Sequence, residues 1–425
     1  MLKKSLAKAK FPTDAASWKT FGVIMCLQIA HDLPNALTAT MAPTLFIKRL
    51  GMPLEYLGLF FLPFVVTAFK WVWAPMVDNY WRASFGRRKS WLAPCTFAVA
   101  ATYILISLVQ PSMDTLYVII GLIILKQVFY ATQEIAADAY VVENVKPDQR
   151  GLGSSVVWLG KEFGQIIGSA GLLFVADIYG WSPAFVAAAL LFILFNSPAL
   201  IRKEPPAPEK ALQKARDGGG ARLGAFLKRR VNLHVLAIVF AVSFSVQMPV
   251  TVIGPFLGDK GLTLTEIGIA IGLAASFGAI ISLGVASVAI TRIGPKRMAI
   301  AMLFVGPLAA PGFLWLAASD APPIIAVIGV IFWATICTAP TRMVLYAARM
   351  GWTSDEQVGT DFTFQQSTWF LGYAATGAFS GVLAAQVGWV WFFIVNVLLT
   401  LCALVFFIRS YDTIEQQMQK IRNEN

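Results

Sequence analysis

The chain has 425 residues, of which 57% are apolar and only 13% charged, with a net charge of +11. A soluble chain is closer to a quarter charged because water must solvate its surface, so a soluble domain is excluded. The apolar residues come in runs near the thickness of a hydrocarbon core, such as Ile267–Ile290 and Trp389–Ile408, and backbone at that depth must be helical.

Twelve spans are expected, near 20–46, 55–77, 91–109, 115–142, 152–176, 183–201, 232–257, 265–290, 298–318, 322–347, 360–384 and 389–409. The basic segment 1–19 lacks the short apolar core and small-residue cleavage site of a removed leader, so the first span is read as permanent. Twenty-seven lysines and arginines fall on one set of connections, Arg349 among them, and only Lys48, Arg49 and Lys260 on the alternate set. The positive-inside rule places the first set, and both termini, in the cytoplasm. The basic charge is thus a topology signal, and no nucleic-acid partner is expected.

The segment 202–230, with Glu204-Pro205-Pro206-Ala207-Pro208 and Gly218-Gly219-Gly220, reads as a linker between bundles 1–201 and 231–425. A shift of 208 superposes Gly86-Arg87-Arg88-Lys89 on Gly294-Pro295-Lys296-Arg297, Asp148–Gly151 on Glu356–Gly359, Gly164 on Gly372 and Gly180-Trp181 on Gly388-Trp389. Two six-span repeats joined by a basic loop resemble the major facilitator plan, an all-α polytopic fold with its solute site between the halves at mid-depth.

Ala74-Pro75-Met76-Val77-Asp78 followed by Phe85-Gly86-Arg87-Arg88-Lys89 resembles the cytoplasmic gating loop of that superfamily. Asn79 replaces the usual Arg, and Tyr80–Ser84 lengthens the turn. Asp78 is suited to a helix N-terminus, the basic cluster to anionic headgroups, and Arg150 joins the same loop set. The longer form, with Phe69-Lys70-Trp71, Thr132-Gln133-Glu134-Ile135-Ala136-Ala137-Asp138 and Leu33-Pro34-Asn35-Ala36-Leu37, resembles the AmpG-type muropeptide permeases and equally the RhtX/FptX siderophore permeases. The resemblance covers about the first 200 residues. It implies a secondary transporter of the bacterial inner membrane that imports a bulky polar organic solute. A siderophore-like chelate is favoured; an anhydromuropeptide and an efflux antiporter are the alternatives.

A charge inside the bilayer costs about 2.5–3.5 kcal/mol, so each needs a reason. Gln127, Glu134 and Asp138 share a helical face, read as a stripe toward a cavity. Asp32 lies near mid-depth of the first span, and the fifth offers Trp158, Lys161, Glu162 and Gln165. In the second half Thr338, Arg342 and Tyr346 share a face, with Gln247, Gln365 and Gln366 adding neutral polarity. Glu134, Asp32, Glu162 and Asp138 are the candidate proton-coupling acids. Lys70, Lys161, Arg342, Gln127, Gln247, Gln365 and Trp158 are candidate solute contacts, and Trp71, Trp333 and Trp369 candidate stacking surfaces. Lys70 pairing with Asp32 or Glu134 is the structural alternative. Cys26, Cys95, Cys337 and Cys402 stand singly and only two histidines are present, so neither metal nor cofactor is expected. Without a P-loop or a convergent catalytic set, the chain is read as a non-enzyme, working as a monomer in the lipid bilayer.

Overall fold

The computed structural model describes residues 15–38, 59–60, 62–82, 84–204, 223–262, 275–320, 322–354 and 357–424, with positions 42, 46 and 50. These form α-helices with short 3-10 and π turns, and no strand occurs among them. In chain order the helices are α1 (Ala15–Ala36), α2 (Leu62–Phe69), α3 (Ala74–Asn79), α4 (Lys89–Leu108), α5 (Leu116–Asn144), α6 (Arg150–Ile166), α7 (Leu172–Tyr179) and α8 (Trp181–Ile201). There follow α9 (Leu223–Lys228), α10 (Arg230–Asp259), α11 (Ala275–Ile293), α12 (Pro295–Ala318), α13 (Pro323–Trp333), α14 (Ala339–Met350) and α15 (Val358–Glu424), the last broken at Gly388.

Eight described helices are long and apolar enough to cross a membrane. The other expected spans are 20–46, 55–77, 152–176 and 360–384. The first two run partly outside the described residues, and the second is also split into α2, a 3-10 turn at Lys70–Val72 and α3. The third is interrupted by a π turn at Ile167–Gly171, and the fourth is the polar first part of α15. Much of the linker, with its proline and triple-glycine runs, and the Glu356 end of the superposed loop also lie outside the described residues.

One apolar core is drawn from residues 30–192 and another from residues 248–393, so each part of the chain builds its own interior. A third cluster joins Ile135 and Ala136 to Tyr346, Met350 and Phe362, at the end of the molecule that carries Arg87, Arg88 and Arg150. We refer to this as the basic end.

The 208-residue offset reappears in the backbone. Gly86 and Gly294 both take positive φ (109° and 83°), as do Gly180 and Gly388 (92° and 75°), a region that L side chains avoid. Gly164 brings α6 against the Ile29 carbonyl of α1. A Cβ at its equivalent, Gly372, would stand 2.9 Å from Ser243 of α10. Small residues at these crossings let helix backbones touch.

Candidate functional site

A cavity of about 410 Å³ lies among α1, α6, α10, α11, α13, α14 and α15. Asp32, Lys161, Glu162, Arg342, Gln247 and Trp158 all line it, together with Trp333 and Trp369. The low hydropathy of α6 and of the start of α15 follows from this placement: a helix facing a wet cavity need not be apolar all round. A second π turn, Ala334–Thr338, joins α13 to α14 beside the same space; such turns swing side chains out of helical register.

Charge within the cavity is of both signs. The Arg342 guanidinium donates to Gln247 Oε1 at 3.0 Å and stacks 6.0 Å from the Trp158 ring, with Glu162 as a charged neighbour. Lys161 Nζ stands 5.5 Å from the same ring. Trp158 is thus flanked by two cations, an arrangement its electron-rich face favours. Glu162 is held by Ser276 and faces Arg342 and Asp32.

The stripe on α5 does not face this cavity, contrary to the expectation. Glu134 is 2% exposed and paired with Lys70 at 2.8 Å and with His31 Nε2 at 3.2 Å. Gln127 donates to Thr67 at 2.7 Å and accepts from Lys126 at 2.7 Å. Lys70 and Gln127 are therefore spent on neighbours and do not line the cavity; nor does Gln365, which donates to the Trp352 carbonyl. Trp71 packs on Phe364, 5.3 Å between ring centres. The physical reason is shared: an unpaired polar group deep in a bundle is costly, so the nearest complementary side chain takes it up. Lys126 has no place among the sequence expectations, and His31 none as a partner of Glu134. Lys126, Tyr130 and Glu134 step by four along one face of α5, a signal that was available.

Glu134 and Arg342 are themselves equivalent positions under the offset, so the two repeats carry opposite charges at one site. Asp138 and Tyr346 are the next equivalent pair, and they meet: the Tyr346 hydroxyl donates to Asp138 Oδ1 at 3.1 Å. Asp138 accordingly serves a contact between α5 and α14. Ser155 adds a bond to Met343 Sδ at 3.0 Å.

At the basic end Asp78 is the hub. Its Oδ2 accepts from the Thr360 N–H at 2.7 Å and the Thr360 hydroxyl at 2.8 Å, at the N-terminus of α15. Its Oδ1 accepts from Arg88 at 2.8 Å and Arg87 at 3.3 Å. Both guanidiniums also bond Glu143, at the end of α5. Glu204 takes the backbone N–H of Arg88 and packs against Gly86. Burial alone would lift the Asp78 carboxyl, but Arg88 and Arg87 outweigh it and hold it below the usual carboxylate range. Burial pushes the Glu204 carboxyl up.

Arg87, Arg88 and Lys89 are buried rather than spread toward headgroups, and for the two arginines the reason is that Asp78 and Glu143 absorb them. Glu143 and Glu204, which complete the network, carried no motif to flag them. Arg150 lies by the turn after α14, its Nη1 3.1 Å from where a Gly351 Cβ would stand. Arg349, counted among the loop charges, is 2% exposed at the end of α14; the helix runs one turn further than the expected span and draws it inside.

Residues 24–349 match the family model for the Major Facilitator Superfamily. The anhydromuropeptide permease of Escherichia coli (strain K12) is 23% identical over 406 residues, covering 92% of this chain and 80% of that one. Among solved structures, the proton:xylose symporter XylE superposes with a TM-score of 0.67 at 12% identity, over 92% of this chain and 94% of that one. A bacterial homologue of the iron transporter ferroportin, in an outward-facing state, gives 0.68 at 13% identity, over 93% and 98%.

Proposed function

The chain belongs to the Major Facilitator Superfamily, and from that premise we propose that this multi-pass membrane protein is a secondary active importer of an anhydromuropeptide-class solute. One observation carries the reading: a two-signed, tryptophan-lined cavity is lined by residues of both repeats. Arg342 and Lys161 suit carboxylates, Asp32 and Glu162 an ammonium group, and the faces of Trp158, Trp333 and Trp369 a sugar or acyl surface. A sugar-linked peptide offers all three at once. The similarity to an anhydromuropeptide permease points the same way. A siderophore-like chelate, the solute first expected, draws on the cations and rings alone.

Bundles 1–201 and 231–425, joined by 202–230, are the moving bodies in this reading. The basic end is cytoplasmic by the positive-inside rule, with both termini there. Asp78–Thr360, Asp138–Tyr346 and Ser155–Met343 are then the contacts that keep the cavity outward-facing, and import requires them to part. Protons drive the cycle: Glu134, held between Lys70 and His31, is the coupling acid, while Asp32 and Glu162 meet solute.

The test is uptake of a radiolabelled anhydromuropeptide into right-side-out vesicles carrying the protein, with an imposed proton gradient. Saturable uptake, reduced about tenfold or more by Arg342→Gln, is expected, the loss of one charge-assisted contact. No uptake above control vesicles would remove this solute class. Competition by a ferric chelate would transfer the reading to siderophores, and uptake restricted to everted vesicles would reverse the direction.

A further inference from the structure

Arg349 is a buried arginine at the basic end for which no described residue supplies an acid within ion-pair distance. It is 2% exposed, and its Nε has no hydrogen-bond partner. Its guanidinium is boxed by three rings: Trp369 at 5.3 Å, Tyr346 at 5.6 Å and Phe362 at 5.7 Å. A single bond, to Gln366 Oε1 at 2.9 Å, completes the cage. Asp138 is a charged neighbour, but it accepts from Tyr346 and makes no ion pair with Arg349, and a buried cation so placed is costly unless an anion is to arrive.

Its position relates it to the cavity. Arg342 and Arg349 are seven residues apart on α14, two turns along one face and about 10 Å at 1.5 Å per residue. Gln366 and Trp369 touch Arg349 and also line the cavity, so the cage shares a wall with the solute space. Tyr346, another wall, is pinned by its bond to Asp138 of α5. Parting that bond, as opening at the basic end requires, frees one side of the cage.

We propose that Arg349 is a second anion-binding residue, taking a solute carboxylate when the cavity faces the basic end, as Arg342 does when it faces the other way. This rests on the transport reading above. Each guanidinium keeps an Nε without a hydrogen-bond partner and has an acid as a charged neighbour, Glu162 for Arg342 and Asp138 for Arg349. The handover moves the anion two helical turns toward the basic end without leaving it unpaired in the bundle.

The experiment compares the two faces. KM for the radiolabelled anhydromuropeptide is measured in right-side-out and in everted vesicles, for the native chain and for Arg349→Gln, Arg349→Lys and Arg342→Gln. Arg349→Gln should raise the basic-end KM about tenfold more than the opposite-face KM, Arg349→Lys should recover part of that, and Arg342→Gln should show the reverse bias. Equal changes on both faces, or none, overturn the proposal and leave Arg349 a packing residue. A second arm does not depend on the solute. Modification of Arg349 by phenylglyoxal, followed by mass spectrometry, should be faster in Asp78→Asn than in the native chain. If the native chain moves no anhydromuropeptide in either orientation, the solute assignment falls, and this second arm alone decides Arg349: faster modification supports it, unchanged modification sinks it.

Discussion

Replacing Asp78 by Asn keeps the shape of the side chain but removes its charge and one acceptor oxygen. In the native chain Oδ2 holds both the Thr360 N–H and its hydroxyl, the bonds that tie α3 to α15. A hydrogen bond to a charged group is worth about 1.5–3 kcal/mol net, so the two together bias the closed basic end by about 3 kcal/mol at the lower bound. That is roughly a 150-fold change in the closed-to-open ratio. Thr360→Ala removes only the hydroxyl and should shift the ratio about tenfold. Spin labels at the exposed positions Arg82 and Arg297 would report the separation across this end as a distance distribution. Asp78→Asn should move most of the population to longer distances, Thr360→Ala a smaller part, and the double variant no further than Asp78→Asn alone. A distribution for Asp78→Asn that overlays the native one would show that the bond pair does not hold this end shut.

Because Arg88 and Arg87 hold the Asp78 carboxyl below its ordinary value, its contribution is complete above the unfolded pKa and fades only as pH falls through the lowered value. Asp78 should therefore add no pH dependence to the label distribution between roughly pH 5 and 8, and a change within that window traced to Asp78 would contradict the assignment. Lys70→Met leaves Glu134 buried with His31 as its one remaining ion-pair partner among the described residues and should lower stability by about 3–5 kcal/mol; the Lys70→Met, Glu134→Gln pair should recover much of it, read as detergent-solubilised melting temperature. Gly164→Ala drives a methyl into the Ile29 carbonyl and should cost about 1–3 kcal/mol, whereas Gly121→Ala meets nothing within 4 Å and should be neutral; similar melting for both would mean the α1–α6 crossing is looser than drawn.

The helical membrane fold was legible because hydropathy and backbone satisfaction leave few alternatives. Spans 20–46, 55–77, 152–176 and 360–384 are the informative departures. Two of them, 152–176 and 360–384, depart from a plain apolar helix through residues that build or adjoin the cavity, such as Lys161, Glu162 and Gln366. The sequence also singled out Asp32, Glu162, Lys161, Arg342, Gln247 and Trp158, since an intramembrane charge demands a reason and helical spacing gives its face. Which partner each charge finds is not periodic information. Lys70 pairing with Glu134 was one of two alternatives the sequence left open, and the structure takes it; nothing in the local pattern of α5 chooses it over a cavity, adds His31, or tells that Arg88 reaches Glu143, 55 residues away. Arg349 was misread for a simpler reason: a basic residue near a span end has two solutions, snorkelling outward or an aromatic box, and composition cannot choose between them.

Tyr179 and Trp181 are joined through Gly180 alone, and the break at Gly388 is the same kind of corner in the second repeat. A single intervening residue lets its neighbours stand at most about 7 Å apart. Helices α7 and α8 are thus fastened at one tip like the arms of tweezers, and probes placed on either side of that corner should travel together in every state. Relative displacement has to be sought elsewhere, between arms that no such clasp unites.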